Sequence, residues 1–164
     1  MLDLDGTLLD SKDHISETVK LAISRASRVL PVTLASGRVL EDVAHFARLL
    51  GLGGVQISDN GGRLLDSITG QTVKDVPITP AIAKKLLQQL EKDRVNFMAV
   101  DSGRTIYNID DVIKWEITVV ICRMDGQSSA IQRSAVDHNS KLSSILSVGS
   151  RGEWYVNYTN SSVN

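Results

Sequence analysis

Between Ser16 and Arg28 the apolar residues Val19, Ala22, Ile23 and Ala26 fall at i, i+3, i+4 and i+7, the stripe of an amphipathic helix. Ser16 is a suitable cap, and Glu17 favours the positive end of the helix. Pro31 to Ala35 (PVTLA) predicts a short buried strand. Leu40 to Leu50 predicts a second helix, closed by Gly51. Val55 to Ser58 predicts another strand, and Arg63 to Asp66 its neighbour across an Asn60-Gly61 turn. Met1-Leu2 is only a fragment of a strand, shorter than the five or six residues a buried strand usually has. Strand, helix, strand, helix is the order of a parallel sheet with crossover helices.

From about Ser67 the pattern changes. Thr69-Gly70 marks a turn, and Thr79-Pro80 opens a helix with Ile82, Ala83, Leu86, Leu87 and Leu90 on one face. Val95 to Val100, Thr105 to Asn108 and Ile117 to Cys122 predict strands, with Ser102-Gly103 as the first turn. Ala130 to Ser147 is ambiguous, with a helix as the reading offered. Trp154 to Thr159 predicts a last strand. Tyr107 and Trp115 are expected in core packing. The fold class is therefore α/β, a partial Rossmann-like parallel-sheet core (residues 1–66) followed by a smaller α/β domain (67–157) and the start of a return linker (158–164).

Composition narrows the function classes without choosing one. A net charge of −1 over 164 residues offers no broad basic face for nucleic acid. No apolar run reaches the roughly 18 residues of a membrane span, and the acidic N-terminus is no signal peptide. No nucleic-acid or membrane partner is expected, and a cytoplasmic location is the default. The single cysteine, Cys122, lies in an apolar run and is expected to be a buried thiol.

The candidate chemistry sits at the ends of the predicted parallel strands. In Asp3-Leu4-Asp5-Gly6-Thr7 the two carboxylates stand two residues apart, so a strand presents them on one face. Gly6 lets the backbone turn just beyond them. Such a pair suits a hard cation through oxygen, or a nucleophile with a proton-handling partner. A D-x-D triplet alone is more often an acidic turn. A calcium loop is excluded by spacing, because glycine comes fourth here and Thr7 fifth. Ser36-Gly37-Arg38 follows the next predicted strand and precedes a helix. There a hydroxyl, a side-chain-free backbone and helix N–H groups face any anion. Ligands of open parallel sheets bind beyond the carboxyl ends of the strands, where both motifs lie.

The full run DLDGTLLDS resembles the first motif of the haloacid dehalogenase (HAD) superfamily, most of whose members are phosphatases. TLASGR resembles the second motif, and ISDNGG resembles the I-x-x-N-G segment of the Cof-like, type IIB-capped branch. The resemblance implies Asp3 as the nucleophile that becomes an aspartyl-phosphate, and Asp5 as general acid/base. Mg²⁺ would be held by Asp3 and by the backbone carbonyl of Asp5, and Thr7 would help fix the turn. Ser36 would bind the phosphoryl group with Gly37 and Arg38, and Asn60 would lie near the site mouth as a substrate-binding candidate. The module from Ser67 to Asn157 would be the cap that selects substrate.

Two motifs of the family are missing from these residues. The third supplies a lysine after the last cap strand, and here the corresponding run is Asn157 to Asn164. The fourth, an acidic G-D-x-x-N-D run, has no counterpart, which suggests a chain trimmed before both. The function expected is an Mg²⁺-dependent phosphatase acting on a small phosphorylated metabolite such as a sugar phosphate. A phosphomutase of the same superfamily and a non-catalytic binding fragment are the alternatives.

Overall fold

The computed structural model describes residues 1–124, 141–149 and 152–163, which form two compact units. The first is built on Met1–Asp75. Its helices are α1 (Glu17–Ala26) and α2 (Leu40–Leu49), and its strands β1 (Val55–Ser58), β2 (Arg63–Asp66) and β3 (Thr72–Asp75). Ser16 caps α1 as expected, its Oγ accepting the Val19 N–H at 3.3 Å. Of the expected α1 stripe only Ile23 is fully buried, and Ala22 is exposed.

The parallel part of this unit is short but in the expected order. Leu2 pairs with Leu34, and Ala35 with Ile57, both parallel. Four backbone bonds join the three segments: Leu2 N to Thr33 O (2.8 Å), Ala35 N to Leu2 O (2.9 Å), Ile57 N to Leu34 O (2.9 Å) and Ser36 N to Ile57 O (3.1 Å). Pro31 to Ala35 is not a regular strand throughout. The buried Gln56 side chain, rather than a ladder carbonyl, takes the Leu34 N–H at 2.7 Å. β1, β2 and β3 continue as an antiparallel sheet in that order. The core beneath is formed by Leu4, Leu9, Ile23, Leu34, Val43, Phe46, Ala47 and Leu65, among others.

The boundary expected after Asp66 lies after Asp75, because Thr72–Asp75 hydrogen-bonds to β2 and completes the first unit's antiparallel sheet. The second unit has helix α3 (Pro80–Lys92) on a sheet of β4 (Phe97–Asp101), β5 (Arg104–Ile106), β6 (Ile117–Arg123), β7 (Leu142–Val148) and β8 (Trp154–Asn160), ordered β5-β4-β6-β8-β7. Ala83, Leu86, Leu87 and Leu90 are the buried face of α3. Ser102 and Gly103 both have positive φ (50° and 85°), the conformation of a tight hairpin between β4 and β5.

Three further expectations change. The helix offered for Ala130 to Ser147 is a strand from Leu142 onward, and its first part lies outside the described residues. Residues 158–160, expected to begin a return linker, are the end of β8. Tyr158 is buried in the second core, and Asn160 Nδ2 donates to the Pro77 carbonyl at 2.8 Å. Tyr107 is exposed, whereas Trp115 packs against the core and Cys122 is buried within it. Burial pushes the Cys122 thiol up to about 12.

Candidate functional site

The site lies in the first unit, where the parallel segments end and the chain turns. After Asp5 the backbone reverses at Gly6 (φ 73°). The Leu4 carbonyl accepts from Thr7, Leu8 and Leu9 at 3.3, 3.0 and 2.9 Å, which winds the turn tightly. Thr7 is exposed on it. Asp10 closes the following loop, its Oδ1 accepting from Lys12 N and His14 N at 2.8 and 2.9 Å.

Asp3 is solvent-exposed, and its Oδ1 accepts the Leu4 N–H at 2.8 Å. Partial burial raises its carboxyl above the usual carboxylate value, the Leu4 N–H opposes this, and the charge of Asp5 raises it further. The two carboxylates are thus close enough to be felt, as the D-x-D spacing requires.

Asp5 faces Arg38. The guanidinium donates through Nε to Asp5 Oδ2 at 3.0 Å and through Nη2 to Asp5 Oδ1 at 2.8 Å, a two-pronged pair. Nη2 also reaches Asp13 Oδ1 at 2.5 Å, and Nη1 lies 3.9 Å from Asp42 Oδ2. The cation sits 5.6 Å from the centre of the Phe46 ring. The hydrogen bonds that Arg38 donates to Asp5 push its pKa above the ordinary value, burial opposes them, and Asp13 adds to them. Asp13 has φ 60°, a left-handed conformation that turns its carboxylate into this cluster.

Ser36 is buried, and its Oγ accepts the Arg38 N–H at 3.2 Å, which shapes the loop at the start of α2. Asn60 adopts φ 52°, ψ 39° in the short turn after β1. Its N–H donates to the Ser36 carbonyl at 3.2 Å, and the Asp59 N–H donates to the Arg38 carbonyl at 2.9 Å. The Asn60 amide lies over Gly37, where a Cβ would come within 2.8 Å of Oδ1. Asn60 Nδ2 is buried without a hydrogen-bond partner among the described residues.

The structure thus brings Asp3, Asp5, Thr7, Ser36, Gly37, Arg38 and Asn60 to one end of one unit. Sequence reasoning missed Asp13 and Asp42 on Arg38. Asp13 lies 25 residues from its partner, and nothing in its Lys-Asp-His context points there. The buried Asp59 and Arg63 beside the turn were missed too. Arg63 carried a signal only in hindsight, as a charge at an inward position of β2, on the same face as the buried Leu65. Among the described residues no group of three or more His, Cys, Asp or Glu side chains is arranged to hold a metal. No helix among them is long and apolar enough to cross a membrane.

A family model for haloacid dehalogenase-like hydrolases matches residues 1–154. Curated protein sequences give no match. Among solved structures, a haloacid dehalogenase-like hydrolase from B. subtilis is 17% identical with a TM-score of 0.84, covering 99% of this chain and 73% of that one. A haloacid dehalogenase-like hydrolase from Bacteroides thetaiotaomicron is 16% identical with a TM-score of 0.81, covering 99% and 71%. A sugar phosphatase of HAD subclass IIB is 12% identical with a TM-score of 0.71, covering 99% and 69%. At these identities the structural likeness is one of fold.

Proposed function

The chain belongs to the haloacid dehalogenase-like hydrolase family, and on that premise we propose that it is a phosphatase for small phosphate monoesters with Asp3 as nucleophile. The observation that carries the reading is the convergence of Asp3, Asp5 and the Ser36-Gly37-Arg38 loop at one strand end. A carboxylate that is exposed and only partly desolvated is available to attack. A buried hydroxyl beside backbone N–H groups suits an oxyanion.

In the proposed reaction an Asp3 carboxylate oxygen attacks phosphorus, and the bond from phosphorus to the ester oxygen breaks. Asp5 donates a proton to the leaving oxygen. Water then attacks the phosphorus of the aspartyl-phosphate and gives a proton to Asp5, and the Asp3 oxygen leaves as carboxylate. Inorganic phosphate is released and both residues are restored. Both Asp5 oxygens are engaged by Arg38 in the structure. In this reading the phosphoryl group draws the guanidinium toward itself and frees one Asp5 oxygen, which takes up a proton from solvent and passes it to the leaving oxygen. Ser36 donates its hydroxyl to a phosphoryl oxygen.

Mg²⁺ is usually held by one or two carboxylates together with waters and phosphate oxygens. The hard oxygens of Asp3 and of the Asp5 backbone are of the kind Mg²⁺ takes and would supply two of its ligands; among the described residues no group of three or more His, Cys, Asp or Glu side chains completes the set. When bound, the ion offsets charge on the phosphoryl oxygens. The second unit is proposed as the cap that selects a small phosphorylated metabolite, a sugar phosphate being one such class. The test is hydrolysis of p-nitrophenyl phosphate by the intact protein with and without EDTA. EDTA-sensitive release of inorganic phosphate supports the reading. Its replacement by transfer to a second sugar hydroxyl would make the protein a mutase instead.

A further inference from the structure

Arg63 is 3% exposed at the first position of β2, an unusual place for a cation. It stands opposite Ser58 on one side and Asp75 on the other, the last residues of β1 and β3. Its guanidinium grips Asp75 with two prongs, Nε to Oδ1 at 2.7 Å and Nη2 to Oδ2 at 3.0 Å. Nε also lies 3.9 Å from Oδ2 of Asp59, which is fully buried. Replacing such a buried ion network by apolar side chains is often neutral or stabilising, so its presence is weak evidence of a stability role. Its position supplies another role.

Asp59 and Asn60 both have left-handed backbones (φ 53° and 52°), a conformation that costs non-glycine residues energy and needs surrounding support. This pair of residues holds the Ser36–Arg38 loop. Asp59 N–H binds the Arg38 carbonyl, Asn60 N–H binds the Ser36 carbonyl, and the Asn60 amide lies against Gly37. A continuous path therefore runs from Asp75 through Arg63 and Asp59 to the backbone of the loop. None of its first three members takes part in the proposed chemistry.

We propose that Arg63, anchored by Asp75, is a positioning residue that locks the Asp59–Asn60 turn and through it sets the Ser36–Arg38 loop for phosphoryl binding. The inference rests on the proposed phosphatase reading. It adds that the anion affinity of the loop is set from the far side of the sheet end. Arg63→Lys keeps the charge but loses the two-pronged grip. Arg63→Met removes both, and Asp75→Asn loosens the anchor from a more exposed position.

The experiment measures, in the intact protein, inhibition by inorganic phosphate together with KM and kcat for p-nitrophenyl phosphate, alongside thermal unfolding. Arg63→Met and Asp75→Asn are expected to raise Ki for phosphate and KM by roughly 10-fold or more, the scale of one lost charge-assisted hydrogen bond, with kcat less affected. Arg63→Lys should lie between them and the native protein. In a Ser36→Ala background the effect of Asp75→Asn on Ki should shrink, because both act on one loop. Lower thermal stability with unchanged Ki and KM would reduce the network to a structural role and overturn the inference. If Arg63→Met does not fold, Arg63→Lys and Asp75→Asn decide by the same criterion. If Ser36→Ala itself leaves Ki unchanged, the loop is no phosphate site, and the reading falls together with the inference. If Ser36→Ala raises Ki but the Arg63 and Asp75 variants do not, only the inference falls.

Discussion

Gly37→Ala probes the site with a single methyl group. The backbone at Gly37 is not left-handed, so alanine meets no conformational barrier there. The barrier is steric: the new Cβ would stand 2.8 Å from Asn60 Oδ1, 3.0 Å from Nδ2 and 3.1 Å from Cγ. Asn60 has little room to withdraw, since its N–H is tied to Ser36 and its Nδ2 is already buried. Overpacking of this kind costs about 1–3 kcal/mol. The loss of glycine's freedom in the unfolded chain returns about 0.4–1 kcal/mol. The net expectation is a destabilisation of about 0–2.6 kcal/mol, the difference of those two effects. Asn60→Gly removes the obstacle and suits φ 52°. In that background Gly37→Ala should be neutral or slightly stabilising, a coupling of about 1–3 kcal/mol. Urea unfolding of the four proteins measures the cycle, and Ki for inorganic phosphate reports whether the loop has moved. Equal effects of Gly37→Ala with and without the Asn60 side chain would refute the packing argument.

Two further outcomes follow from the structure. Asp5→Asn should lower kcat for p-nitrophenyl phosphate by roughly 10²–10⁴-fold, the range for acid–base catalysis, and a loss below tenfold in a steady-state assay counts against its role. Asp101 is a structural counterpart in the second unit: it is buried, its Oδ2 accepts from Ile113 N and Lys114 N at 2.8 and 3.0 Å, and its Oδ1 accepts from Glu116 N at 3.0 Å. Burial alone would raise its carboxyl, but the three N–H donors outweigh burial and hold it below the usual value. Its contribution is present above the unfolded carboxyl value of about 3.9 and is lost as pH falls through the lower folded value. Asp101→Asn should cost about 1.5–3 kcal/mol at neutral pH, because an amide NH₂ must face a backbone N–H. Chemical unfolding at pH 7 and below pH 4 checks this, with the gap between the two proteins narrowing in acid.

The parallel order of the first unit was legible because helix stripes and short apolar runs alternate, and helix α2 and strands β1 and β2 fall almost residue for residue where the pattern puts them. The site was legible as far as its residues are local in sequence: D-x-D and Ser-Gly-Arg sit at strand ends that topology brings together. The Asn60-Gly61 signal had two readings, a hairpin turn and a place at the site mouth. The structure makes one turn serve β1–β2 and also lie over Gly37. What was not legible depends on long-range ion pairing. Asp13 on Arg38 and Asp75 on Arg63 have no periodic signature, because a charged residue in a loop or on a strand reads as solvated unless its partner is known. The same gap misplaced the boundary at Asp66. The run Thr72–Asp75 is exposed throughout and lacks the alternation that would mark it as a strand, so only its pairing with β2 reveals it.

The central claim is that the Asp3 carboxylate is the group that takes the phosphoryl group. It is tested most directly by acid-quenching the intact protein during turnover of p-nitrophenyl phosphate with Mg²⁺ and mapping phosphorylation by mass spectrometry. The account predicts a phosphoryl adduct on the N-terminal peptide at Asp3 and none in Asp3→Asn, which should also release no phosphate. An Asp3→Asn protein that turns over at a near-native rate, or an adduct on another residue in its place, would contradict it.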